Sequence, residues 1–187
     1  GQFVVVRMHS APEFRASLTL SSCPEDRNQF ELTLKRTGSF GTHFYDQAEI
    51  GSVVSMTAPA GPFSLKKLSD RPIAFLGHDY TIPACRSFLR HLRANQSQRP
   101  LVLFQELSAP EEEAIYQEEF SQPGYGHFRW VPCHGQEIQA DLLRQHLPDF
   151  GDWHYYIQAE GPEARRLRSL VQSLEIGADQ ISVERWS

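Results

Sequence analysis

Residues 73–92 read IAFLGHDYTIPACRSFLRHL, a short apolar run, a glycine, and an amphipathic stretch entered through a proline. A strand, a tight turn and a helix in that order turn backbone N–H groups toward an anion, as nucleotide-binding proteins do for phosphates. Gly77 ends the strand, but His78, Asp79 and Tyr80 fill a turn in which close phosphate approach usually calls for glycine. Other reactive groups are sparse. Cys23, Cys85 and Cys133 are odd in number and widely spaced. That argues for reduced thiols, against a disulfide framework, and against a thiolate-held iron–sulfur cluster. The eight histidines contain no i, i+4 pair, so no metal site is expected. Cys133 and His134 adjoin, and adjacent side chains seldom face each other, so Cys133 reads as a loop thiol. No Ser/His/Asp grouping follows from residue order.

The elements that position these residues fall into two halves with different periods. Up to residue 71 the apolar positions alternate: in QFELTLKR, Phe30, Leu32 and Leu34 point one way and Glu31, Thr33 and Lys35 the other. QFVVVRM, SLTLSS and SVVSMTAP are similar, Gly and Pro clusters separate them, and no helix-period stretch intervenes. An antiparallel β-barrel is expected over residues 1–71. After Arg71–Pro72, apolar strands at 73–77, 101–107, 127–132, 154–159 and 181–186 alternate with helical stretches. Cys85, Phe88, Leu89 and Leu92 form one helical stripe, Ile138, Leu142 and Leu143 a second, and Ala164, Leu167, Leu170, Val171 and Leu174 a third. Residues 72–187 are therefore expected to form a five-stranded parallel sheet with flanking helices. Such a sheet places ligands beyond the carboxyl ends of its strands. The rule nominates Gly77–Thr81, Glu106–Ser108, Cys133–His134, Gln158–Glu160 and the Trp186 terminus.

The net charge of −5 is concentrated in the second half of the 187 residues, which disfavours a nucleic-acid partner. The longest apolar runs are far short of a membrane span, and no charged-then-apolar leader opens the chain. With the reduced thiols, these features point to a cytoplasmic protein.

Several strings, in order, resemble the ferredoxin–NADP reductase superfamily: GQFVVV (1–6), RASLTLSSCP (15–24), LTLKRTGSFGTHFYD (32–46), APAGPF (58–63) and VERW (183–186). The likeness extends over the whole chain. RASLTLSS resembles the flavin-binding run R-x-Y-[S/T]-x-x-S. Thr19 and Ser22 fill its hydroxyl positions, Leu18 its aromatic position and Ala16 its arginine position, with Arg15 one residue early. The first turn of the second half departs from the superfamily's A-G-G-x-G-x-T-P, with His78 and Tyr80 at two of its glycines. Gln158-Ala159-Glu160-Gly161-Pro162 stands where a Cys-Gly-Pro is usual. LGHDYTIPA (76–84) and QAEGPEARRLR (158–168) look closer to the siderophore-interacting ferric reductase branch.

The resemblance implies FAD against the barrel and a reduced nicotinamide dinucleotide on the α/β half, with electrons leaving to a one-electron acceptor protein or ferric chelate. Leu18, Thr19 and Ser22 would line the flavin, with Thr19 the hydroxyl beside its ring. Lys35 and Arg36, with Gly41 or Thr42, would hold its diphosphate. Trp186 would stack near the ring, Gly77 and Thr81 would approach the dinucleotide diphosphate, and Glu160 would sit by the nicotinamide. ELSAPEEE (106–113) carries no cation for a 2′-phosphate and Glu106 offers itself to a ribose diol, so NADH is favoured over NADPH. The superfamily's barrel normally has strands before GQF, so either a longer chain upstream or another chain or domain is expected to complete it, and an upstream domain would fit. The altered glycines leave a second reading, a module that holds flavin or a protein partner without hydride transfer.

Overall fold

The computed structural model describes residues 1–65, 70–108, 114–122 and 127–186, and the side chains of all of these but Arg185 and Trp186. In the first half, β1 (Phe3–Met8) is the central strand of an antiparallel sheet between β2 (Arg15–Thr19) and β3 (Val54–Met56). Alternation turns Val4, Val6 and Met8 to one face, where all three are buried. Val4 pairs with Leu18 and Val6 with Ala16, and Phe40 closes this small core. Isolated bridges join Phe3 to Ala60 and Leu20 to Leu32.

Two expectations for this half need correcting. The segment 30–35 makes only the single bridge at Leu32. Its alternation arises because Leu32 and Leu34 pack on the first core: it reports burial, not pairing. Secondly, a helix does intervene. Gly38, at φ +66°, turns the chain out of the extended region, and α1 (Gly38–Gln47) follows. Phe40 and Phe44, one turn apart, stack with ring centroids 5.6 Å apart and pack on the sheet. Two glycines, a serine and a threonine among ten residues leave little helical propensity to read; tertiary packing decides the helix.

In the second half the five strands that periodicity marks out are all present. They are β4 (Ile73–His78), β5 (Leu101–Leu107), β6 (Phe128–His134), β7 (His154–Glu160) and β8 (Ile181–Trp186), all parallel, in the order β6-β5-β4-β7-β8. The helices are α2 (Pro83–Ala94), α3 (Gln117–Ser121), α4 (Ala140–His146) and α5 (Gly161–Ser173). Ala74 and Leu76 face a core shared with Leu143 of α4 and Leu167 and Val171 of α5. Ile73 and Phe75 face the opposite way, toward Cys85, Phe88 and Leu89 of α2. α4 begins later than the stripe at 138–143 suggests, because the Ile138 N–H leaves the helix to donate to Glu106 Oε1 at 2.5 Å. Among the described residues no helix is long and apolar enough to cross a membrane.

The halves share a packed junction. Phe63, from the connection after β3, lies edge-on to Tyr156 at 4.7 Å and stacks on Phe88 at 5.9 Å. From α2, Arg86 pairs with Glu31 and, at 2.6 Å, with Glu119. Arg90 reaches Glu31 at 2.7 Å, and the Ser87 hydroxyl donates to the Ser22 carbonyl at 2.7 Å. β4 has β5 on one side and β7 on the other, with crossovers leaving in opposite directions. The crevice beyond its carboxyl end is the topological switch point of the sheet.

Candidate active site at the domain junction

The turn after β4 is held by its own side chains. A Cβ on Gly77 would lie 2.2 Å from Ile82 Cγ2, so glycine here lets the helix entrance close on the strand end. Asp79 takes a left-handed φ of +44°. Its carboxylate accepts the Ser108 N–H at 2.8 Å and the Ser108 hydroxyl at 2.5 Å, tying the turn to the end of β5. Thr81 is fully buried. Its hydroxyl shares a proton between the His78 and Gln158 carbonyls, at 2.6 and 2.5 Å, and accepts the His78 N–H. Gln158, also fully buried, accepts the Ala84 N–H through Oε1 at 3.2 Å. Pro83 has no N–H, so Gln158 takes the first donor at the α2 N-terminus, the group a diphosphate would otherwise meet.

On the barrel side, the residues singled out in the sequence divide into those turned to the junction and those held elsewhere. Leu18 packs inside the first core with Val4, Val6 and Phe40. Thr19, next along β2, turns the other way and is 5% exposed. Its hydroxyl lies 3.5 Å from Glu184 Oε1 of β8. Ser22 is buried, and its hydroxyl accepts the Glu31 N–H at 3.0 Å. Arg36 pairs with Asp46 at 2.8 Å and lies over the Tyr45 ring, turned along α1. Lys35 is exposed and projects across the junction, with Nζ 4.0 Å from the centroid of the Tyr80 ring. A Cβ on Gly41 would lie 2.2 Å from the Lys35 carbonyl oxygen. Glycine there lets the basic segment at 35–36 fold directly onto α1, whose N-terminus no side chain caps. Thr42 is exposed on α1.

At this end of the sheet the first half meets the second where Lys35 lies over Tyr80 and where Thr19 faces Glu184. The Tyr80 hydroxyl donates to Glu160, the exposed N-cap residue of α5. Burial, helped by that carboxylate, pushes the Tyr80 phenol up to about 12. Glu184 and Gln158 were not singled out as a pair by sequence; the available signal was one acid inside the apolar strand ISVERW. Glu184 accepts from the Gln158 side-chain amide and faces Thr19. Burial pushes its carboxyl up to about 7, against the lowering effect of those hydrogen bonds. Trp186 pairs through its backbone with Glu160 at the end of the β7–β8 ladder; its side chain lies outside the described residues.

Beyond β5, Glu106 is 4% exposed, and both of its oxygens lie 2.5 Å from Arg166 Nη2 of α5. With the Ile138 N–H, this leaves the carboxylate fully engaged. Arg166 supplies in space the cation that 106–113 lacks in sequence, and Glu137, 3.8 Å away, offsets it further. The pair lines a 230 Å³ pocket with His78, Ser108 and Glu163. Glu111–Glu113 lie outside the described residues. The cysteines are free and buried, and burial raises the Cys133 thiol to about 11. Among the described residues no group of three or more His, Cys, Asp or Glu is placed to hold a metal ion.

No family model matches the chain. The reductase component of propane 2-monooxygenase from Rhodococcus jostii is 20% identical over 205 residues, spanning all of this chain and 55% of that protein. The FAD/NAD-binding domain of the nitric oxide dioxygenase of Vibrio cholerae superposes with a TM-score of 0.82, over 99% of this chain and 84% of that one, at 14% identity. A ferredoxin NADP+ reductase of Neisseria gonorrhoeae, solved with bound FAD and NADP, superposes with a TM-score of 0.79, over 98% and 85%, at 16% identity. The chain spans about half the length of the curated relatives it matches. An antiparallel sheet followed by a five-stranded parallel sheet, matched over nearly every residue, is the fold the chain shares with these two structures.

Proposed function

We propose that the chain is the flavin- and nicotinamide-binding part of an NAD(P)H-dependent reductase, with residues 1–71 as the flavin domain and 72–187 as the dinucleotide domain. The observation that carries this reading is the meeting of Thr19 and Glu184 across the junction, beside the switch point of the parallel sheet. The flavin side fits FAD: Gly41 lets the Lys35 backbone approach α1, whose uncapped N-terminus offers backbone donors for a diphosphate, and the exposed Lys35 side chain is a cation on the same segment. FAD would accept a hydride from the reduced nicotinamide and release electrons singly to an acceptor. The chain's own part is to bind, orient and manage a proton. The Thr19 hydroxyl would meet the flavin edge, and Glu184 behind it, held by Gln158, would keep a proton near neutral pH. Lys35 would neutralise the diphosphate, with Arg36 and Gly41 or Thr42 beside it. Leu18 and Ser22 would shape the strand beneath. Trp186 would cover the ring where the nicotinamide enters, next to Glu160, with Gly77 and Thr81 lining the turn.

The dinucleotide side fits once Tyr80 moves. Its hydroxyl bond to Glu160 and its exposed cation–π pair with Lys35 are each worth about 1 kcal/mol. NADH is the proposed donor, because Glu106, Glu137 and Glu163 outnumber Arg166 where a 2′-phosphate would lie. The acceptor is a one-electron acceptor protein or a ferric chelate, and the site of action the cytoplasm, in keeping with three free thiols. An upstream domain completing the barrel belongs to the same reading. β2 and β3 are the edges of a three-stranded sheet, and Val53 and Met56 are exposed along the β3 side.

One observation favours the second reading, a reductase-like module without hydride transfer: Gln158 already occupies the α2 donor. Titration with FAD, followed by quenching of flavin fluorescence, tests the first. Saturable binding is expected, weakened roughly tenfold in Lys35→Gln by loss of a charge-assisted contact. No binding by the wild type would set the flavin assignment aside.

A further inference from the structure

In open α/β sheets a dinucleotide's ribose meets an acid where its 2′-hydroxyl is free, or an arginine where that position carries phosphate. Both kinds of residue line the pocket at the carboxyl end of β5, beside the switch strand β4. They engage each other. Both Glu106 oxygens lie 2.5 Å from Arg166 Nη2, and Oε1 also accepts the Ile138 N–H. A carboxylate so engaged, on a side chain 5% exposed, has little capacity left for a ribose diol. Arg166 is the more open partner, with its side chain 31% exposed. Its Nη1 lies 3.5 Å from the Ile138 carbonyl and 3.8 Å from the exposed Glu137 carboxylate. Among the described residues lining the pocket, Arg166 is the one permanent cation. His78 faces Asp79 at 3.3 Å, and Glu163 adds an acid to Glu106 and Glu137.

We propose that Arg166 is the residue that reads the 2′ position of the dinucleotide, and that Glu106 sets the choice against a 2′-phosphate by occupying it. Glu106 is then a positioning residue: it holds the guanidinium rather than accepting the ribose diol itself. A 2′-phosphate entering here must displace a buried, fully bonded carboxylate, and must do so beside Glu137 and Glu163. NADH carries no such group and leaves the pair intact. Removing the Glu106 charge therefore does more than lessen repulsion, because it releases a cation already in place. The inference deepens the NADH preference proposed above and rests on that reading's placement of the dinucleotide.

The test is a double-mutant cycle on the full chain, read by calorimetric titration with NAD+ and NADP+. AMP and adenosine 2′,5′-bisphosphate, which omit the nicotinamide half, are titrated in parallel. Within each pair of probes the affinity ratio isolates the 2′-phosphate. Glu106→Gln keeps an acceptor for the Ile138 N–H and should shift that ratio toward the 2′-phosphate by about tenfold, the scale of one charge-assisted contact. Adding Arg166→Met should abolish most of the gain, whereas a gain from lost repulsion alone would persist. Glu137→Gln, a change at an exposed side chain, should shift the ratio the same way by about two- to threefold, again only while Arg166 is present. An unchanged ratio in Glu106→Gln, or an equal shift with and without Arg166, overturns the inference. If circular dichroism shows Glu106→Gln unfolded, Glu137→Gln with and without Arg166→Met decides by the same comparison. Binding of the adenosine nucleotides but of neither dinucleotide would set aside the dinucleotide reading and still decide the role of Arg166. Binding of no probe by wild type or variants overturns both.

Discussion

Glu184 carries the most consequential single proton at the junction. Its carboxyl is raised from 4.5 to about 7 because burial penalises the charged form more than the Gly1 ammonium, Gln158 and Thr19 relieve it. A raised acid binds more protons folded than unfolded between those values. Its contribution to stability is therefore full below about pH 4.5 and is lost as pH rises through 7. Glu184→Gln, which keeps an acceptor for Gln158, should remove that loss. Thermal melts at pH 5 and pH 8 should differ less in the variant, chiefly through a higher Tm at pH 8. An unchanged pH dependence would mean that Glu184 is ordinary. A second prediction concerns Gly77. Its missing Cβ lets Ile82 approach, so Gly77→Ala should destabilise by about 1–3 kcal/mol, and a following Ile82→Ala should relieve part of the clash. Urea unfolding of the single and double variants measures both. Thr19, Lys35 and Glu160 were nominated because each sits in a string with an ordered pattern around it. Glu184 was not, because its meaning arises only from contacts with Thr19, 165 residues away, and with Gln158.

At the scale of elements, the parallel sheet was readable because buried parallel strands are apolar runs and their helices carry clear stripes. α1 was not, since its two phenylalanines are the only periodic signal in a glycine- and hydroxyl-rich stretch. The alternation of 30–35 misled for a related reason: a segment can turn alternate residues inward without pairing as a strand. α2 deserves its length of amphipathic sequence twice over. One face packs beneath the sheet, and the other carries Arg86 and Arg90 against the loop at 23–31. Arg86 lies between Glu31 and Glu119 with its side chain 13% exposed. Arg86→Leu removes a largely buried cation from two carboxylates and should lower stability by about 2 kcal/mol. The loss should shrink when Glu31→Gln is added, and denaturant midpoints of the single and double variants report it. Equal losses in both would show that Arg86 acts through packing alone.

For the whole molecule, the account is that two halves of different period share one crevice. Thr19 meets Glu184 across the junction, and Lys35 lies over Tyr80, which bonds Glu160. On the proposed reading flavin and dinucleotide would meet there, while Gln158 already holds the first donor of α2. Purified protein reconstituted with FAD and titrated anaerobically with NADH, followed by absorbance near 450 nm (the usual region for oxidised flavin), is the most direct test. The account predicts a bound yellow chromophore that NADH bleaches and a one-electron acceptor restores. Bound flavin that neither NADH nor NADPH bleaches would contradict it and leave the chain a scaffold without hydride transfer.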